Sequence, residues 1–122
     1  MANKVVHFEI MGPDPAALTG FYGNLFDWKT EATPGFEGYN LVSADEAGVG
    51  GAVGTGPEQM PTYLTFYIEV DSIDRYLERI EQAGGKTVVP RTVIPGMVTF
   101  SQFADPAGNV VGLVEADIQP AE

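Results

Sequence analysis

With 122 residues, 44% of them apolar and 19% charged, the chain has the composition of one globular domain with a real core, and neither disorder nor a fibrous architecture is indicated. Seventeen acidic against six basic side chains leave a net charge of −11, which repels phosphate backbones and anionic membrane surfaces and excludes nucleic acid as an expected partner. No apolar run approaches the roughly 20 residues that cross a bilayer, and the absence of cysteine removes disulfides, thiolate nucleophiles and thiolate metal sites; with no secretory leader in view, a cytoplasmic protein is expected.

The first predicted element is a strand over residues 5–11, in which Val6, Phe8 and Ile10 form an apolar face while Val5, His7, Glu9 and Met11 share the other. Gly12 and Pro13 break it, and Asp14 followed by Pro15 is an N-cap with proline at the first helical position. Leu18, Phe21, Tyr22 and Leu25 then recur at helical spacing, and the pattern ends near Phe26 and Asp27. Short β-like runs follow over 28–33, 36–43 and 48–53, separated by Pro34-Gly35 and Ala44-Asp45. Residues 4–54 thus read as one βαβββ module, followed by a glycine- and proline-rich linker over 54–62.

A second module is expected over 63–116, with a short tail at 117–122. Its first strand, 63–70, again has one polar face, carrying Thr65, Tyr67 and Glu69. Ser72 is the candidate helix cap, Ile73, Tyr76, Leu77 and Ile80 form the apolar stripe, and Gly84-Gly85 ends the helix. Strands are expected over 86–89, 97–103 and 109–115, with Pro90, Pro95-Gly96 and Asp105-Pro106-Ala107-Gly108 as breaks. An offset of 58 residues sets Thr65 against His7 and Ser72 against Asp14, and one of 62 sets Val111-Gly112 against Val49-Gly50, so the chain reads as an internal duplication.

Five segments in this order resemble the vicinal oxygen chelate superfamily, which holds glyoxalases, bleomycin-resistance proteins and extradiol dioxygenases. They are Val6-His7-Phe8-Glu9-Ile10, the run from Phe21 to Trp28, Gly84-Gly85-Lys86, the run from Val93 to Met97, and Asp105-Pro106-Ala107-Gly108-Asn109 leading to Gly112-Leu113. The likeness is greatest to an uncharacterised glyoxalase-like branch. The resemblance implies a single α+β domain of tandem βαβββ modules, whose curved mixed sheet forms a cup-like cavity that His7 faces, usually closed by a second subunit in a homodimer. Metal-dependent relatives place ligands at positions matching His7, Gly50, Thr65 and Gly112. Glycine has no donor side chain and a threonine hydroxyl is a poor ligand, so the usual four-ligand site is not expected and no cofactor is predicted. Glu115 does not substitute, because three residues along a strand separate it from Gly112 and turn it to the other face.

His7, the only histidine, and Glu9 are the tentative catalytic pair: a neutral imidazole suits acid–base work near pH 7, with Glu9 or Glu69 orienting it or raising its pKa. Thr65, Tyr67 and Glu69 are candidate ligand contacts on the matching strand. Trp28, Met97 and Phe100, with Phe36 and Tyr39, are candidate pocket walls, although core packing accounts for each equally well. Pro95-Gly96-Met97 is a lid or only a turn. The glycines at 48, 50, 51, 54 and 56 lack the ending of a phosphate loop; they read as a strand whose missing side chains leave cavity space or permit close approach of a subunit. No nucleophile elbow or zinc-protease helix occurs. The favoured function is binding of a small organic molecule in the cup without the usual metal, with modest acid–base chemistry through His7 and Glu9. The alternatives are a metal-dependent lyase, isomerase or dioxygenase with a divalent metal at His7, and a non-catalytic protein-interaction module.

Overall fold

The computed structural model describes residues 2–115, so the expected tail lies outside the described residues. In chain order the elements are β1 (Val5–Met11), α1 (Pro15–Phe26), β2 (Thr30–Thr33), β3 (Phe36–Val42), α2 (Ala44–Ala47), β4 (Gly51–Gly54), β5 (Tyr63–Val70), α3 (Ile73–Gln82), β6 (Lys86–Ile94), β7 (Val98–Ala104) and β8 (Val110–Glu115). This is an α+β fold with the βαβββ order present twice, the short α2 being an addition to the first copy. The chain divides into two compact units: one is Val6–Phe66, and the other combines Val5 and the residues before it with the chain from Tyr67 onward.

In the first unit the strands run β2-β3-β4-β1, with β1 and β4 parallel and the other neighbours antiparallel. Helix α1 begins where Asp14 accepts a hydrogen bond from the Ala17 amide and Pro15 supplies its preset φ; it ends at Asp27, in the left-handed conformation at φ 61°. It lies against β3 and β4. Trp28 stacks on Tyr22 with ring centres 5.5 Å apart and meets Phe8 at 5.4 Å. Phe8 in turn covers Gly51, where any Cβ would overlap its ring.

In the second unit the order is β5-β8-β7-β6, with β5 and β8 parallel. Ser72 caps α3 by accepting from the Arg75 amide, and the helix turns Ile73 and Leu77 into a core with Val70 and Leu113. Ile68, Tyr76, Ile80 and Phe103 flank that core. The Glu115 carboxylate accepts the Ile73 amide at 3.0 Å and both a Nε and an NH2 hydrogen bond from Arg91 at 2.9 Å, tying β8, β6 and the start of α3 together. These bonds, the Arg91 guanidinium first, hold the Glu115 carboxyl below its ordinary pKa.

Several sequence expectations need correction. The strand expected to stop before Pro90 continues through it to Ile94. β6 is the outermost strand of its unit's order, paired to β7 alone there, and its register shifts between Thr87 and Val89 and between Val89 and Thr92; a proline without an N–H is tolerated at such a position. Residues 44–47, expected as a break, form a helical turn because Ser43 caps it through the Glu46 amide. The following strand starts at Gly51 instead of 48, and β2 starts at Thr30 instead of 28. The missing side chains at Gly51 and Gly54 do not leave cavity space: the Phe8 ring and the Gly38 carbonyl take the room. The offset of 62 for the last strands also fails. Glu9 pairs with Ala52 and Tyr67 with Gly112, so with β1 and β5 matched at 58 residues it is Ala52, not Gly50, that answers Gly112.

Ile73 is fully buried at the head of α3. Ile73→Ala is expected to cost about 2–5 kcal/mol of unfolding free energy, measured by chemical denaturation, because the cavity sits between helix and sheet where neither can collapse freely.

Candidate functional site

β1 presents two faces. Phe8 points to the side packed by Trp28 and Tyr22, while the alternate residues His7, Glu9 and Met11 share the opposite side. Glu9 is only 6% exposed, and a carboxylate removed from water to that degree requires donors. Two phenols supply them. The Tyr39 hydroxyl donates to Glu9 Oε2 at 2.7 Å, and the Tyr63 hydroxyl donates to Oε1 at 2.9 Å. The Tyr39 oxygen also lies 2.8 Å from His7 Nε2.

Register explains how a residue of β3 reaches β1 across β4. Glu9 pairs with Ala52 and Met11 with Gly54, while on the other side of β4 Ala52 faces Leu41 and Gly54 faces Tyr39. On this face β4 carries only the Ala52 methyl group and Gly54, over which the Gly38 carbonyl closes, so no large β4 side chain stands between Glu9 and Tyr39. Its ring runs nearly parallel to the imidazole of His7, at 17° with centroids 6.3 Å apart. Tyr63 enters from the first residue of β5, which belongs to the same unit.

The bonding fixes proton positions. Tyr39 has one hydroxyl proton and gives it to Glu9, so the short contact to His7 requires the imidazole to bring an N–H on Nε2. Burial lowers the His7 pKa below its ordinary 6.5, and the opposing attraction of Glu9 is the smaller effect. The expectation that a carboxylate would raise this pKa is therefore corrected: desolvation outweighs it. At neutral pH His7 is an uncharged imidazole.

The other sequence candidates fall in different places. Thr65 is buried and its hydroxyl makes a long 3.4 Å contact to the Phe66 carbonyl. Trp28 packs on the opposite face of β1 from His7, among Phe8, Tyr22 and Phe26. The remaining four lie in the other unit. There Tyr67 is buried, accepts from Gln102 Nε2 at 3.0 Å, meets Phe100 edge-on at 6.4 Å, and fills the space that Gly112 leaves. Glu69 is half-buried, its backbone bonded to Asn3 and Lys4. Met97 is exposed in the turn after β6, closed by its amide on the Ile94 carbonyl. Of the named candidates, His7 and Glu9 come together; the sequence offers Tyr39 only as a wall or core residue and does not single out Tyr63 or Gln102. A tyrosine hydroxyl on a strand beside a buried glutamate is the signal that finds the first two.

The donor set does not fit the superfamily's metal. At the ligand positions stand His7, Gly50, Thr65 and Gly112, and the corrected register adds only Ala52 to them. The two residues with good donor atoms, His7 and Glu9, are joined through the Tyr39 hydroxyl between them. Among the described residues no three His, Cys, Asp or Glu side chains gather as a metal cluster.

The depressed pKa has a measurable consequence. In the unfolded chain His7 takes up its proton near pH 6.5, and in the folded chain only at lower pH, so acidification through that range favours unfolding. Thermal midpoints are expected to fall from about pH 7 to about pH 5.5 in the native chain and to fall less in His7→Gln. Equal slopes in the two proteins would contradict the assignment.

Comparison with known proteins places the fold. The glyoxalase/bleomycin resistance protein/dioxygenase superfamily profile matches residues 4–113. The anthracycline biosynthesis protein DnrV of Streptomyces peucetius is 32% identical over 117 residues, covering 83% of this chain and 42% of that one. The putative glyoxylase CFP32 of Mycobacterium bovis is 28% identical over 115 residues, covering 89% and 44%. The chain thus spans less than half the length of the curated relatives it matches. A crystal structure of a superfamily member from Vibrio splendidus superposes with a TM-score of 0.66 at 15% identity, covering 93% of this chain and 98% of that one. The chain belongs to the glyoxalase/bleomycin resistance protein/dioxygenase superfamily.

Proposed function

We propose that this protein binds a small organic molecule beside His7 without the superfamily's usual metal, and that His7 and Glu9 give the site acid–base capacity. The observation that carries the reading is the buried Glu9 carboxylate, held by two phenols and linked through one of them to a neutral imidazole. A core does not need four polar side chains in one place, and each must be desolvated to be there. A base whose tautomer is fixed by a hydroxyl, itself backed by a carboxylate, is an arrangement suited to proton transfer: a proton gained by His7 is stabilised by the Glu9 charge through Tyr39. The resemblance to an anthracycline biosynthesis protein supports a ring-bearing ligand. Thr65, in the same unit as His7, remains a proposed contributor to this site; Trp28 faces the other side of β1, and Tyr67, Phe100, Glu69 and Met97 are proposed ligand contacts of the second unit taken by itself. We also propose a homodimer in the cytoplasm, for which sedimentation showing two copies per particle is the check.

A thermal-shift screen of small aromatic and heterocyclic compounds is expected to yield ligands whose binding survives dialysis against chelator and weakens about tenfold or more in His7→Ala. Tyr39→Phe, which keeps the ring and loses the bridge, should weaken binding without unfolding the protein by circular dichroism. Ligands that bind His7→Ala as well as the native chain, or only after a divalent metal is restored, would overturn the reading.

A further inference from the structure

Resting on the homodimer proposed above, we infer that the second copy docks on the α1 side of the first unit, the side opposite His7, and so leaves the His7 cluster uncovered. The inference starts from helix α1. None of its residues is buried and none is charged, although the chain carries a net charge of −11. The duplication supplies an internal comparison. The offset of 58 residues that matches the caps Asp14 and Ser72 sets Ala17, Gly20 and Phe21 of α1 against Arg75, Glu78 and Arg79 of α3, and all six are exposed. The second unit's helix thus turns a charged outer face to water, as a solvated helix does, whereas the first has alanine, glycine and phenylalanine in the same places.

The same side of the sheet is apolar beyond the helix. α1 lies against β3 and β4, and on β1 the residues Val6, Phe8 and Ile10, which face the α1 side, are only half-buried. At the start of β5, Tyr63 reaches Glu9 on the His7 side, so the alternate residues Leu64 and Phe66 turn toward the side of α1, where Leu64 is 74% exposed. The strand carboxylates Glu9 and Glu31 stand on the other side, in one cross-strand row through Ala52 and Leu41. Phe21, Leu25, Phe26, Leu64 and Phe66 are 40% to 74% exposed, and at about 200 Å² for a large side chain they present about 550 Å² together. Two such faces meeting would bury about 1,100 Å² from these side chains alone, close to the roughly 1,200 Å² at which specific interfaces begin, before any neighbouring atom is counted.

Charge and sheet geometry favour a second copy as the occupant. Two chains of net charge −11 repel wherever their carboxylates meet, and α1, Leu64, Phe66 and the facing residues of β1 bring none to this surface. A basic partner would gain nothing from so uncharged a face. The outermost strands are poor alternatives for self-pairing: β6 is interrupted by Pro90 and two register shifts, and β2 has four residues and an irregular register.

The test is sedimentation over a range of concentrations for the native chain and for Phe21→Glu, Leu64→Glu and Val88→Glu. The native chain is expected to dimerise. Phe21→Glu enters a two-fold interface twice and sets carboxylates in an apolar contact, so it should raise the dimer dissociation constant at least about a hundredfold, and Leu64→Glu should act likewise. Val88→Glu adds the same charge at an exposed apolar position of β6 and should leave the dimer intact. All three replace exposed side chains, so circular dichroism should not change. The His7 imidazole resonances should be the same in the native dimer and in the Phe21→Glu monomer; a signal that changes on dissociation would contradict an uncovered site. A native dimer that Phe21→Glu and Leu64→Glu do not weaken, or that Val88→Glu weakens equally, overturns this docking surface and leaves the homodimer standing. A native chain that sediments only as a monomer removes both, and one that instead binds phosphatidylcholine vesicles through Phe21 assigns the face to lipid. Ligand binding beside His7 is tested separately and does not depend on these outcomes.

Discussion

The Glu9 carboxylate is buried in the middle of a strand, and a charged group there is tolerated only with hydrogen-bond donors of good geometry. Much of the first unit's local design follows from that requirement. β4 carries Ala52 and Gly54 on the face between Glu9 and Tyr39, so no large side chain of that strand separates the phenol from the carboxylate. Tyr63 stands at the start of β5, where its hydroxyl closes the second oxygen of the same carboxylate. Tyr39, having spent its proton on Glu9, obliges His7 to hold its own on Nε2. One desolvated charge thus constrains the residue types on three other strands and the protonation of the histidine.

The other face of the same strand answers to packing. Phe8 occupies the room over Gly51 and meets Trp28, which stacks on Tyr22 of α1, so aromatic contacts anchor the helix while the polar network forms on the reverse side. The second unit repeats the order of elements but not the chemistry. Its corresponding strand carries Tyr67 where the first carries Glu9, and the buried space over Gly112 is filled by a ring whose hydroxyl meets the neutral amide of Gln102. The duplicated scaffold has therefore placed a charged cluster in one unit and an uncharged one in the other.

Local patterns made the scaffold legible in the sequence. Alternation along β1 correctly put His7 and Glu9 on one face, and the caps Asp14 and Ser72 located both long helices, because each signal lies within a few residues of the structure it specifies. The misreadings came from longer range. Pro90 breaks a strand by its own properties but is accommodated at the outer strand of a unit, a position that only the sheet order reveals. A duplication offset drawn from two matching dipeptides slipped by two residues in the last strands, which the parallel pairings correct. Tyr39 and Tyr63 lie 30 and 54 residues from Glu9, and no periodicity connects them to it. The fold was readable from repeats; the cluster depended on tertiary pairing.

The superfamily's metal positions and the observed cluster share His7 and little else. With glycine, alanine and threonine at the other positions, the imidazole is bonded to a phenol and a carboxylate stands behind that phenol. The account depends on this bonding, which nitrogen NMR of the imidazole reads directly. At pH 7 the native chain should show a neutral ring protonated on Nε2, and Tyr39→Phe should lose that fixed tautomer. A ring already charged at pH 7, or one protonated on Nδ1 alone, would contradict it.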